Sequence, residues 1–235
     1  MDFTTQPEGA HFQIQNQQKQ NLNALPFQRT YDGIKRLVST YRADPAAKSN
    51  LEVILAYPGF HAVIFHQLSS RFYDRRMYVT ARVISHIARV LTGIEIHPGA
   101  KIGKRLFIDH GFGVVIGETA EVGDDVMLYQ GVTLGSTTKE RGKRHPTVGD
   151  RVVVGAGATV LGDISLGNDS RVGAGAVVVH SVPAGATAVG IPGKVVKTRG
   201  DRMPGLEFER IAACPEPKPM DIPEAPILAQ ESWCI

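Results

Sequence analysis

Apolar and polar positions follow two different rhythms along this chain, and the change falls at Gly93. From Thr30 to Thr92 the spacing is helical, with Val79, Val83, Ile87 and Leu91 recurring every four residues up to Gly93. Asp44 followed by Pro45 has the make-up of an N-cap and first-turn pair, and Tyr57-Pro58-Gly59 interrupts the run. The pattern predicts three or four helices over residues 29–93. After Gly93 the period becomes six. Aliphatic residues stand at Ile96, Ile102 and Ile108, then at Ile116, Val122, Leu128 and Leu134, then at Val148, Val154, Val160, Leu166, Val172 and Val178. Glycine follows eight of these residues directly, and a small or branched residue comes four places after most of them, as at Ala100, Ala120, Val126, Val132, Val152, Ala158, Ser170 and Ala176. A six-residue period with two inward positions fits neither a helix nor a hairpin sheet. It predicts a solenoid of short strands joined by tight corners, where glycine relieves the steric cost of turning.

The six-residue register breaks twice. Ile108 to Ile116 is eight residues, and Leu134 to Val148 is fourteen, an excess of eight. Extra residues in a solenoid are expelled as loops, often on the working face. The longer loop, 136–147, holds Lys139, Glu140, Arg141, Lys143, Arg144 and His145, a net +3 where an anion could dock. The fold class expected is therefore α+β: a helical domain at 29–93 and a β-helix at 94–197 interrupted by that loop. Residues 1–28 lack an apolar period and are expected to be disordered, as is the tail 198–235, which carries six prolines between Pro204 and Pro226.

Composition narrows the picture. Of 25 glycines, 20 lie from Gly93 to Gly193, so the excess belongs to the solenoid and not to a collagen-like or low-complexity chain. The uncharged apolar stretch Val152–Gly162 is 11 residues, well short of the roughly 18 needed for a membrane span. The first 30 residues hold seven glutamines and no secretory apolar block, and the two cysteines, Cys214 and Cys234, sit in the tail. These features predict a soluble, cytoplasmic, disulfide-free protein. A net charge of +3 gives no ground for nucleic-acid or membrane binding.

Asp109 and His110 fall outside the inward set, beside the first insertion, so His110 is expected to project from the surface. An exposed histidine next to a carboxylate is the ordinary arrangement for a general base near neutral pH. The stretch Ile94–Pro146 around it, with ADPAA from Ala43, YPGFHA from Tyr57, the IDH triplet, IGETA, VTLG, GKRHP and the closing VGIPGKVV, resembles bacterial serine O-acetyltransferases, hexapeptide-repeat enzymes that move acetyl from acetyl-CoA to the serine hydroxyl. The likeness runs from about Tyr41 to Lys197.

That resemblance implies a left-handed β-helix, although parallel crossovers are generally right-handed. It implies that His110 is the base and that Glu95 steadies it; their spacing of 15 residues is not the 18 that would stack them directly. Asp44 and Asp109 would face the ammonium and hydroxyl end of serine, with Asp44 equally suited to capping a helix. Arg144 and His145 would take the serine carboxylate, a task for which the planar guanidinium is well shaped. For acetyl-CoA, the co-substrate, the matching positions are Gly135, Ser136, Thr137, Lys139, Ala156 and Ala174. Ser136 and Thr138 replace glycines usual in the family's loop, and both alanines also suit plain corner packing.

No metal is implied. A homo-oligomer is: a trimer or a dimer of trimers, with active sites in the clefts between subunits. In this family a terminal isoleucine can enter the O-acetylserine sulfhydrylase active site, which makes Ile235 a candidate partner-binding residue. The alternatives left open are another hydroxylated acceptor, such as homoserine, a sugar or an antibiotic, and a non-catalytic scaffold. A zinc hydrase on the same coil needs three histidine ligands, and His110 and His145 lack a third at a suitable spacing.

Overall fold

A computed structural model describes residues 26–197 of the chain; side chains are described for 33–196. Ile235, both cysteines and nearly all of the two segments expected to be disordered lie outside the described residues.

Four helices come first: α1 (Pro26–Arg42), α2 (Asn50–Ala56), α3 (Pro58–Asp74) and α4 (Tyr78–Thr92). The first begins at Pro26, inside the segment expected to lack structure, because proline is well suited to a first helical turn. A second expectation fails at Asp44-Pro45, which opens a turn and not a helix. The Asp44 carboxylate accepts the Ala46 amide (2.8 Å), while Ser49 caps α2 in a complete capping box with Glu52. Two caps compete within six residues, and the one with a reciprocal glutamate starts the helix. Tyr57 separates α2 from α3, whose first turn begins with Pro58, and α4 ends on Gly93 in the left-handed conformation (φ 71°).

Fifteen short strands follow, in this order: β1 (Glu95–Ile96), β2 (Lys101–Ile102), β3 (Phe107–Ile108), β4 (Val115–Ile116), β5 (Glu121–Val122), β6 (Met127–Leu128), β7 (Thr133–Gly135), β8 (Thr147–Val148), β9 (Val153–Val154), β10 (Thr159–Leu161), β11 (Ser165–Leu166), β12 (Arg171–Val172), β13 (Val177–Val178), β14 (Thr187–Val189) and β15 (Lys194–Lys197). They form three sheets: β1-β4-β7-β10-β13, β2-β5-β8-β11 and β3-β6-β9-β12-β14-β15. Each of the first four coils gives one strand to each sheet, the fifth meets the second sheet only through a bridge at Val182, every neighbour pair is parallel except the last, and β15 runs antiparallel to β14. The cross-section therefore has three sides and three corners. The hexad aliphatics fill its interior: Ile116, Leu128, Leu134, Val154 and Val160 are fully buried, as are the smaller Ala120, Val126, Val132, Val152, Ala158 and Ala176.

The helices cap the first coil. Tyr41 of α1 is fully buried, its ring 4.8 Å from that of Phe107 on β3, and its hydroxyl accepts the amide of Ile108 (3.1 Å). Gly59 is needed where α3 crosses this contact, since a Cβ there would stand 2.6 Å from the Tyr41 hydroxyl and 2.5 Å from the Ile108 carbonyl. On α4 the fourfold apolar stripe turns out to face away from the core. Val79, Val83, Ile87 and Leu91 are 46–79% exposed, whereas Ala81, Ser85, Ala88 and Thr92 are buried. Small residues let α4 lie close on α3 and β1, with the Ser85 hydroxyl donating to the Ile96 carbonyl (2.8 Å). Among the described residues no helix is long and apolar enough to cross a membrane.

Candidate functional site

The first insertion consists of His110 and Gly111. The pairing places Asp109 level with Tyr129, and Phe112 level with Gln130, Ala156 and Ala174 of the following coils. His110 and Gly111 have no counterpart below, and they bulge from the corner between the third and first sheets. Both take the left-handed conformation (φ 56° and 63°), which glycine adopts freely and histidine at a cost of roughly 1–2 kcal/mol. Arg105, Asp125, Arg151 and Asp169 take the same conformation at other corners, so it is the two-residue bulge that sets His110 apart. The imidazole is 76% exposed, with Nε2 3.8 Å from an Asp109 oxygen. A cavity of about 450 Å³ beside this corner is lined by Asp44, Asp109, Arg105, Asp125 and Tyr129, so the two aspartates expected at the ammonium end share one pocket. Tyr57 donates to the second oxygen of Asp44 (3.0 Å), and burial together with this carboxylate pushes the phenol's pKa up. Glu95 lies on β1 near the same corner, but its partner is Arg89 (3.0 Å) and not His110, because its register sets it beside Val115 on the sheet and short of the bulge.

The second insertion leaves the solenoid between β7 and β8, at the corner between the first and second sheets. It folds back so that Arg144 and His145 settle on Gly117-Glu118-Thr119. Arg144 Nη2 pairs with Glu118, whose other oxygen accepts from the Tyr73 hydroxyl (2.9 Å). The hydrogen bonds from Arg144 and Tyr73 hold the Glu118 carboxyl below the usual range. His145 is 7% exposed, and burial, aided by Arg144, pushes its pKa down. Lys143 donates to the Thr119 carbonyl (2.8 Å). Of the positions matched to CoA, Gly135 ends β7 and leads into Ser136, Thr137 and the exposed Lys139. Ser136 closes a local turn with the Thr138 carbonyl (2.8 Å). Ala156 and Ala174 instead stack below Phe112 at the His110 corner, where Gly157 and Gly175 leave open space beside the backbone.

The expected site residues therefore fall into two groups on different corners of one chain. Six near-extended residues make each side, and they span at most about 20 Å. Among the described residues no side-chain hydrogen bond or ion pair joins the two groups. The family resemblance implied sites in clefts between subunits, but the residue spacing did not show which residues lie on which corner, nor the supporting roles of Tyr41, Tyr57, Tyr73, Glu118 and Thr119. The IGETA block contained Glu118 and Thr119, but only the folded-back loop reveals what they hold.

Comparison with known proteins gives the family. Residues 145–180 match the family model described as bacterial transferase hexapeptide (six repeats). A serine acetyltransferase of Staphylococcus aureus (strain Mu50 / ATCC 700699) is 57% identical over 181 residues, 77% of this chain and 83% of that protein. The chain belongs to the serine acetyltransferases. Members of this family are acyltransferases, and solved structures match it in shape as well as sequence. The serine acetyltransferase of Brucella abortus strain S19, in complex with coenzyme A, is 37% identical with a TM-score of 0.69, covering 72% of this chain and 68% of that one. The soybean serine acetyltransferase complexed with serine is 40% identical with a TM-score of 0.68, covering 70% and 68%. Among the described residues no group of three histidine, cysteine, aspartate or glutamate side chains is placed to hold a metal ion.

Proposed function

We propose that this serine acetyltransferase transfers acetyl from acetyl-CoA to the hydroxyl of L-serine in one direct step, with His110 as general base. The observation that carries the reading is the bulge that thrusts His110 out of the corner in a conformation histidine adopts only at a cost. The imidazole takes the serine hydroxyl proton as the oxygen attacks the thioester carbonyl. The tetrahedral adduct then expels CoA as a thiolate, which recovers that proton from the imidazolium, giving O-acetylserine and CoA. Asp44 and Asp109 face the serine ammonium and Arg144 with His145 its carboxylate. Glu95 steadies the imidazolium and is released by Arg89 to do so. Acetyl-CoA lies along Ala156 and Ala174 of one chain and Gly135, Ser136, Thr137 and Lys139 of another.

The two half-sites require a second copy. In a cyclic trimer each subunit sets one corner against a different corner of its neighbour, so that His110 of one chain and Arg144 of the next share each cleft. The outward apolar stripe of α4 supports assembly, either within a trimer or between two trimers. We further place the helical domain at 26–93 and the catalytic β-helix at 94–197, wound left-handed as the family resemblance implies. The site is cytoplasmic, and Ile235 docks in the O-acetylserine sulfhydrylase on the strength of the sequence alone.

The test is subunit complementation. His110→Ala and Arg144→Ala are each expected to lose about 10²- to 10⁴-fold in serine acetylation, read as free thiol released from acetyl-CoA. Mixed and reassembled one to one, they should recover about a quarter of wild-type activity, since one cleft in four then combines two intact halves. A mixture as inactive as its components overturns the shared site. Faster acetylation of homoserine or a sugar than of serine overturns the assigned acceptor.

A further inference from the structure

Thr119 stands at the centre of the loop corner, half-buried, and besides the Lys143 bond to its carbonyl four polar contacts tie it to Arg144 and His145. Its Oγ1 accepts the backbone amides of Arg144 (3.0 Å) and His145 (3.2 Å), the two residues of the carboxylate end. The same oxygen lies 2.9 Å from His145 Nδ1, and the Thr119 backbone amide lies 3.2 Å from that nitrogen. A backbone amide can only donate, so Nδ1 must present a lone pair. With both of its own lone pairs taken by the loop amides, the Thr119 hydroxyl has its proton left for Nδ1 as well. Two donors therefore meet at Nδ1, and the ring proton belongs on Nε2.

The floor beneath His145 is shaped for this orientation. Gly117 lies under the ring edge that carries Nε2 and Cδ2, and a Cβ at that position would occupy the space of the imidazole itself. The charged groups facing the ring are Arg144 and Lys143 from the loop and Glu118 from the segment beneath it. Glu118 is already paired with Arg144 and accepts from Tyr73, a residue of α3. Burial and the neighbouring guanidinium both disfavour an imidazolium here, which would also set an N–H at Nδ1 against two donors.

We propose that Thr119 is the positioning residue of a carboxylate clamp: it locks His145 with its proton on Nε2 and fixes the backbone of Arg144, so that one neutral donor and one permanent cation meet the acceptor's carboxylate together. The proposal rests on the serine-acetylating reading above and adds to it the protonation state of the clamp and the residue that sets it. A clamp built this way holds its charge constant across the pH range in which an ordinary histidine titrates. Its preference for a carboxylate then comes from geometry that is in place before substrate arrives.

The experiment has two arms on the full-length protein. Nitrogen-15 spectra of the histidine rings, with His145 assigned by its loss in His145→Gln, should show a neutral Nε2–H ring from pH 8 down to at least pH 6. A ring protonated at Nδ1, or an imidazolium at pH 7, overturns the proposal. In the second arm, Thr119→Val and Thr119→Ser are compared for KM and kcat with L-serine and with L-serinamide, which lacks the carboxylate. Thr119→Val should raise KM for serine about 10- to 100-fold, as expected when hydrogen bonds to a charged group lose their geometry. It should leave KM for acetyl-CoA within about 3-fold and erase most of the preference for serine over serinamide, while Thr119→Ser should restore both. Equal behaviour of the valine and serine variants, or an unchanged serine preference in Thr119→Val, sinks the proposal. If the valine variant does not fold, the spectra of wild type and Thr119→Ser still decide. Failure of the wild type to acetylate serine counts against the function and leaves the ring spectrum to judge the clamp.

Discussion

Replacing Tyr41 by phenylalanine removes one oxygen atom and nothing else from the joint between the helices and the solenoid. The ring keeps its contacts with Phe107 (4.8 Å), Tyr57 (5.9 Å) and Phe60 (6.2 Å), so little apolar burial is lost. What disappears is the acceptor of the Ile108 amide, in a place where Tyr41 is 0% and Ile108 2% exposed. A buried donor left without a partner costs about 1–3 kcal/mol. Taking about 2 kcal/mol, and a shift of about 2–4 °C per kcal/mol for a folded unit of this size, Tm should fall by about 4–8 °C. Calorimetry at matched protein concentration measures this without confusion from assembly. The change should also reach the chemistry, because Ile108 is followed directly by Asp109 and His110: kcat should fall while KM for acetyl-CoA stays near its wild-type value. A variant within about 1 °C of wild type would refute the claim that this hydroxyl anchors the strand carrying the base.

Two further perturbations test the solenoid and the first-coil cap. Ser170 sits in a column of inward positions with Val126, Val152 and Ala186, fully buried, and its hydroxyl has no partner among the described residues; Ser170→Ala should therefore stabilise by about 1 kcal/mol, seen as a Tm raised by about 2–4 °C. His66 is buried against the Ala100 carbonyl (3.1 Å), and desolvation pushes its pKa from 6.5 down to about 4. Because the unfolded chain binds this proton more readily, the stability is complete above pH 6.5 and declines as pH falls towards 4, by about 3 kcal/mol in all. His97 and His145 are shifted in the same direction, so urea midpoints should drop between pH 7 and 4.5, and His66→Gln should flatten that slope.

The solenoid was legible because its signal is repeated: thirteen aliphatic positions at a fixed interval point to one period, and each departure from the period marks a loop. His110 was legible for the same reason, since it belongs to the departure. Local competition was not. Asp44-Pro45 and Ser49-Glu52 both have the composition of a helix start, and the reciprocal bond of Ser49 with Glu52 decided between them. The α4 stripe misleads in another way, because an apolar face reads the same whether it meets its own core or remains uncovered. The division of the site between two corners was implied only by the family resemblance, because hexad spacing tells which residues point outward but not which side of the prism they occupy beside a second chain.

The antiparallel β15 has a consequence for the molecule as a whole. A column of coils with a common strand direction leaves, at its final rung, a row of amides and carbonyls that any like strand could extend. Reversing the chain at that rung offers newcomers a mismatched direction, while the helices cover the opposite end. Growth by stacking is thereby hindered along the third sheet at one extremity and by the helices at the other, so a periodicity that elsewhere builds fibres is here interrupted at both ends.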